Sequence, residues 1–296
     1  MIQISILIII VAFFLLNIIV VAANDSSIAA ASVSTTKTNK QKHEHKHEHD
    51  DGLNNGLLGA VLIKLNDGNS IPQIGMGVAL TGSKTYNSVI YALQHVGYRL
   101  FDTASEESYN NEDQVGNAIY DYNYDINRSN NCNDDYDDPN SGDASSSSDN
   151  NSNNNNTIFV TTKLWDTDHG FYNTIKAFMI SYRELNLQNI ENKHQHKQFK
   201  PIDLYLMHSP YGGRILETYD AMLYIQAQQQ SQGKNPLLRS IGVSNFDIRH
   251  LEVIRINNRP MPTINQIEMH PLVYKQRKEL IDYCHQHQIQ IQAFGS

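Results

Sequence analysis

Several polar residues stand at or just past the ends of short apolar runs: Asp102, Lys163, His208, Ser244, Asn245 and Gln266. Tyr109 follows Asp102 in the next loop. A lysine beside an aspartate, a tyrosine and a histidine is a set suited to carbonyl reduction when a hydride donor is supplied. The Tyr109 phenol can protonate a developing alkoxide when an ammonium stands next to it. Asp102 would keep Lys163 charged, and His208 would orient the carbonyl. Taken singly, each residue also has a plain structural reading. Asp102 and Lys163 can be an ion pair, and His208 a satisfied strand-end histidine. Their recurrence at successive run ends shifts the weight toward chemistry.

Those residues need elements to carry them. The segment 60–65, the turn Asn66-Asp67-Gly68 and the segment 71–74 read as a β-hairpin. Short apolar runs follow at 74–78, 98–103, 158–163, 202–208, 238–244, 263–268 and 289–294. Helical patterns lie between them at 88–95, 175–185, 215–227, 247–256 and 275–287. Strands alternating with helices imply right-handed crossovers and a parallel sheet. Runs apolar on both faces suit strands covered by helices. No Gly-rich turn follows the first strand, which argues against a dinucleotide-binding Rossmann unit. The stretch Gly82-Ser83-Lys84-Thr85 imitates a phosphate loop, but its lysine comes one residue late, and a plain loop before a helix explains it.

The 296-residue chain carries a formal net charge of −8. Residues 121–150 hold eight Asp against one Arg, so most of the acidity belongs to one insert. With no basic stripe, nucleic acid is excluded as a partner. Two cysteines, Cys132 and Cys284, exclude a disulfide framework and a four-cysteine zinc site.

Residues 3–23 are almost wholly apolar and end in Val21-Ala22-Ala23, so they read as a secretory signal peptide. The alternative is an uncleaved membrane anchor, since the run nearly matches the ~20 residues that span a bilayer. The expected location is the secretory pathway, and a membrane is a partner only if this segment is retained. Residues 24–56 form a polar linker with His43, His45, His47 and His49. This tract reads as solvated chain rather than a metal centre, and no metal is expected. A zinc- or nickel-buffering role is the remote alternative. Asn/Ser/Asp-rich residues 121–156, and a second patch near 188–200, read as low-complexity inserts without order of their own.

Longer segments carry a resemblance. They are Gly97-Tyr98-Arg99-Leu100-Phe101-Asp102, Tyr109-Asn110-Asn111-Glu112, Thr161-Thr162-Lys163-Leu164-Trp165 and Asp203-Leu204-Tyr205-Leu206-Met207-His208. Ile241-Gly242-Val243-Ser244-Asn245-Phe246, Asn265-Gln266-Ile267-Glu268 and Ile291-Gln292-Ala293-Phe294 continue the series. In this order they resemble the aldo-keto reductase family over most of residues 57–296. The resemblance implies an α/β fold, a parallel (β/α)8 TIM-type barrel. About seven strands can be counted here, which leaves the first and seventh with open edges. It implies the tetrad Asp102, Tyr109, Lys163 and His208, with Tyr109 as general acid. It implies NADP(H) as cofactor, held at its nicotinamide by Ser244, Asn245 and Gln266 and stacked on by Phe294. His208 and Trp165 would touch a small-molecule carbonyl substrate, in a monomer.

Two departures shape the expectations. Two extra residues within Ser105-Glu106-Glu107 lengthen the loop that aims the Tyr109 phenol, where a misplacement of ~1 Å costs on the order of 100-fold in rate. Ser296 also falls before the family's segment that grips the adenosine 2′-phosphate. The alternative function is therefore a binding or regulatory protein with little turnover.

Overall fold

A computed structural model describes residues 18–21, 61–105, 107–131, 157–188, 200–230 and 236–295. The tract at His43–His49, Cys132 and most of the amino-terminal apolar run lie outside them. Ten strands are described: β1 Ile18–Val21, β2 Leu62–Lys64, β3 Ser70–Pro72, β4 Ile74–Gly77, β5 Leu100–Asp102, β6 Phe159–Leu164, β7 Ile202–Met207, β8 Leu238–Ser244, β9 Ile264–Glu268 and β10 Gln290–Phe294. Six α-helices accompany them: α1 Thr85–Tyr91, α2 Glu112–Asn131, α3 Phe171–Leu185, α4 Ile215–Gln230, α5 Ile248–Ile256 and α6 Pro271–Gln286. None of the described helices is long and apolar enough to cross a membrane.

The strands β4 to β10 pair in chain order, all parallel, and form the barrel wall. The open edges expected at the first and seventh strands are a point of correction. β1 lies antiparallel against both β10 and β4, with Val20 opposite Ala293 and Ile19 opposite Gly75. Two free edges present unpaired N–H and C=O groups, and the Ile-Ile-Val-Val sequence of β1 has the β-branched character that pairs readily there.

The hairpin β2–β3 turns at Asp67-Gly68, where Gly68 takes a left-handed φ of 90°. Its Ile63, Leu65 and Ile71 pack against Leu100, Phe159 and Ile264, the first residues of their strands. The hairpin thus plugs the amino-terminal end of the barrel with apolar side chains. Alternation along β6 points Phe159, Thr161 and Lys163 inward, so polar groups are left for the opposite end. Outward-facing Leu164, Tyr205, Met207 and Val243 pack under the helices with Phe178, Tyr219, Met222 and Leu251. Gly242 permits close strand packing, because a Cβ there would lie 2.7 Å from Leu206 and 2.8 Å from the Ile264 carbonyl oxygen.

The helix α2 corrects the expected start of the acidic insert. Order was expected to stop at Asp121, yet the helix runs to Asn131. Ile119, Tyr122 and Ile126 recur on one face and pack with Val89, Leu93 and Phe101. Arg99 adds a 2.9 Å bond from its guanidinium to the Tyr122 hydroxyl. Gly116 brings α2 against the end of α3: a Cβ would stand 2.5 Å from the Leu185 carbonyl oxygen. On the far side of the second insert, Lys200 is tied back to Asn186 at 3.0 Å.

Candidate active site

The carboxyl ends of the parallel strands gather the residues singled out above. Asp102 ends β5, Lys163 lies one residue before the end of β6, and His208 follows β7 directly. Lys163 is only 2% exposed, as is Asp102, and its Nζ donates to Asp102 Oδ1 and, at 2.9 Å, to the Thr103 carbonyl oxygen. The second Asp102 oxygen accepts from Gln266 Nε2, which also donates to Gln292 Oε1 at 2.9 Å. Both charges are therefore removed from water and matched inside the barrel. Burial pushes the Asp102 carboxyl up, against the pull of Lys163 and Gln266. Burial works against the Lys163 ammonium, but Asp102 and Tyr109 outweigh it and hold Lys163 above the usual lysine range.

Tyr109 reaches this pair in spite of its lengthened loop. Lys163 Nζ stands 5.0 Å from the centroid of the Tyr109 ring. The extra chain is taken up locally: Ser108 and Tyr109 both donate backbone N–H groups to the Ser105 carbonyl, at 2.9 and 3.0 Å. Ser105 is itself tied to the Lys163 carbonyl at 3.1 Å. The Glu107 carboxylate accepts from Thr167, on the loop after β6. The longer loop thus still brings the Tyr109 ring to Lys163. Glu106 lies outside the described residues.

His208 sits edge-on between two aromatic rings. Its centroid lies 5.9 Å from that of Tyr109 at 88°, and 4.8 Å from that of Trp165 at 80°. Burial, joined by the Lys163 charge, pushes the imidazole down to about 3. A neutral ring results, with one N–H and one lone pair. Its Nδ1 is buried with no partner among the described residues.

The remaining predicted residues occupy the neighbouring strand ends. Ser244 Oγ donates to the Gln266 carbonyl oxygen at 2.9 Å. Asn245, exposed and left-handed at φ 59°, donates to the His208 carbonyl at 3.0 Å and to Ser244 Oγ at 3.1 Å. Phe294 ends β10, half-buried, and its carbonyl oxygen accepts from Met269 N at 3.1 Å. Three residues at the site had no role assigned from sequence. Gln292 completes the chain of side chains behind Asp102. Asn111 and Glu112, both buried polar residues, anchor the Tyr109 loop. A glutamine among Ile291, Ala293 and Phe294 was the available signal for Gln292. Asn111 and Glu112 lay in a quoted motif, but their partners are too distant in sequence to read.

The carboxyl end of the parallel α/β barrel thus gathers a buried lysine–carboxylate pair, a phenol and a neutral imidazole. The model of the aldo/keto reductase family matches residues 73–296. This chain belongs to that family. An aldo-keto reductase of Mycolicibacterium smegmatis is 33% identical over 216 residues, covering 72% of this chain and 60% of that protein. The methylglyoxal reductase DkgA of Escherichia coli O157:H7 is 33% identical over 236 residues, covering 79% of this chain and 66% of that protein. The chain thus spans 60% to 66% of the length of these relatives. Among solved structures, a Gox0644 variant in complex with NADPH superposes with a TM-score of 0.55 at 30% identity, over 78% of this chain and 65% of that one.

Proposed function

We propose that the chain reduces aldehydes or ketones to alcohols with NADP(H), using Tyr109 as the acid. The observation that carries this reading is the placement of Lys163, buried and paired, beside the Tyr109 ring. The NADPH-bound Gox0644 relative and the methylglyoxal reductase DkgA support the cofactor and the carbonyl substrate.

The residues present fit the nicotinamide end of that cofactor. A carboxamide needs neutral partners, and Ser244, Asn245 and Gln266 are three neutral groups on adjoining strand ends. Their side-chain N–H and O–H groups are bonded within the protein, and the amide oxygens of Asn245 and Gln266 are acceptors in kind. The half-buried Phe294 ring offers an apolar face near the same edge. When bound, the reduced nicotinamide supplies the hydride.

The chain's own residues supply position and the proton. His208, kept neutral, can donate one hydrogen bond to a carbonyl oxygen without giving up that proton at ordinary pH. The Tyr109 hydroxyl transfers its proton to the developing alkoxide oxygen. The phenolate that remains faces the Lys163 ammonium, which stabilises it in a site of low dielectric. Asp102 keeps that ammonium charged and still, and Gln266 with Gln292 keeps Asp102 in place. Trp165 backs the His208 ring and walls the substrate side.

A titration of the full chain with NADPH, followed by cofactor fluorescence, tests the reading. Saturable binding is expected. No binding at millimolar NADPH overturns it for this chain, and the alternative of a binding protein with little turnover predicts binding without aldehyde-dependent oxidation.

A further inference from the structure

The Tyr109 side chain is aimed by a loop, and a loop of altered length needs something to aim it. Two residues past Tyr109 the backbone enters a buried polar clamp. Asn111 is 1% exposed. Its amide oxygen accepts from Thr103 Oγ1 at 2.6 Å, and its nitrogen donates to the Val78 carbonyl at 2.9 Å and to Thr85 Oγ1 at 3.1 Å. One side chain therefore ties the ends of β4 and β5 to the start of α1. The next residue, Glu112, is 3% exposed and accepts from Thr162 Oγ1 on the outer face of β6. Thr162 directly precedes Lys163. Between Tyr109 and the clamp, Asn110 takes a left-handed φ of 52°, a conformation asparagine accepts more readily than other non-glycine residues.

We infer that Asn111 and Glu112 are positioning residues, which hold the Tyr109 phenol at Lys163 by anchoring its loop to β4, β5, α1 and β6. The inference rests on the reading of Tyr109 as the acid. It assigns these two residues no contact with substrate or cofactor. Their expense supports a purpose: Glu112 keeps a carboxyl almost wholly out of water. Burial pushes that carboxyl up to about 7, with Thr162, Ser181 on α3 and the Lys163 charge pulling down and Glu184 on α3 pushing up. The Tyr205 hydroxyl on β7 faces the same space.

The test uses the full chain and reads Tyr109 in two ways. Asn111→Ala and Glu112→Leu should lower kcat on 4-nitrobenzaldehyde by ~10- to 100-fold, as a misplacement of ~1 Å does, while the Kd for NADPH moves less than ~3-fold. Glu112→Gln, which keeps an oxygen for Thr162, should recover most of the loss. In the Tyr109→Phe background Asn111→Ala should cost no further rate, because it acts through the phenol. The second readout needs no turnover. In a chain labelled with ζ-13C tyrosine, the NMR signal that Tyr109→Phe deletes should shift in Asn111→Ala. Met222→Ala, a distant core variant of similar lost stability, should leave it in place. An unmoved Tyr109 signal in Asn111→Ala, or an equal shift in Met222→Ala, overturns the inference. A parent chain without Tyr109-dependent turnover overturns the proposed function instead, and the NMR signal still decides the clamp.

Discussion

Lys163 and Asp102 face each other across the inner wall of the barrel, each 2% exposed, with Gln266 bonded to the carboxylate oxygen that Lys163 leaves free. The pair does two things. It permits an ammonium at the base of the site, and it makes each partner depend on the other.

That dependence separates folding from catalysis. Asp102→Asn removes the counter-charge of a buried ammonium and should cost ~3–5 kcal/mol of stability as well as activity. Lys163→Met in the Asp102→Asn background should restore much of the melting temperature and none of the rate. Thermal melts of the parent, the single variant and the double variant check this. A double variant that melts lower than Asp102→Asn contradicts the pairing.

The His208 ring gives a prediction about pH. Its value falls from 6.5 in the unfolded chain to about 3 in the fold. Between those values the unfolded chain binds a proton that the folded chain refuses. Stability from this group therefore declines as the pH drops from about 6.5 toward 3, by at most ~1.4 kcal/mol per unit. His208→Gln lacks the titration, so its melting temperature should fall less than the parent's between pH 7 and pH 5. Parallel melting curves across that range contradict a neutral His208.

Glu112 titrates with the opposite sign. Its folded value, about 7, lies above the unfolded 4.5. The folded chain retains a proton that the unfolded chain has lost, so stability present below pH 4.5 is lost as the pH rises through 7. The effect amounts to roughly 3 kcal/mol. Glu112→Gln should accordingly gain on the parent in melting temperature from pH 5 to pH 8. A constant difference across that range means that Glu112 is charged throughout.

Much of this was legible in the sequence, for physical reasons. Runs such as 202–208 are apolar on both faces, so β7, with every residue buried, could be placed closely. Asp102, Lys163 and His208 could be placed together because strand ends of a parallel barrel share one face. Other features were hidden. Ile18–Val21 looks the same whether it enters a bilayer or pairs with β10 and β4. The end of α2 was masked by Asp and Asn residues lying between Ile119, Tyr122 and Ile126. How the lengthened loop aims the phenol could not be read, because the turn that absorbs it depends on Ser105 bonding to the Lys163 carbonyl. Asn111 meets Val78 from 33 residues away, a pairing that no local pattern reveals.

The most direct measurement is aldehyde-dependent NADPH oxidation by the parent chain and by Tyr109→Phe, with NADPH binding and thermal melts recorded on the same preparations. Deleting the phenol oxygen strands no buried charge, so the variant should melt close to the parent and bind NADPH within about threefold. Its rate should fall by ~100-fold or more, the range expected for loss of a positioned acid. A Tyr109→Phe chain that reduces the aldehyde as fast as the parent contradicts the account.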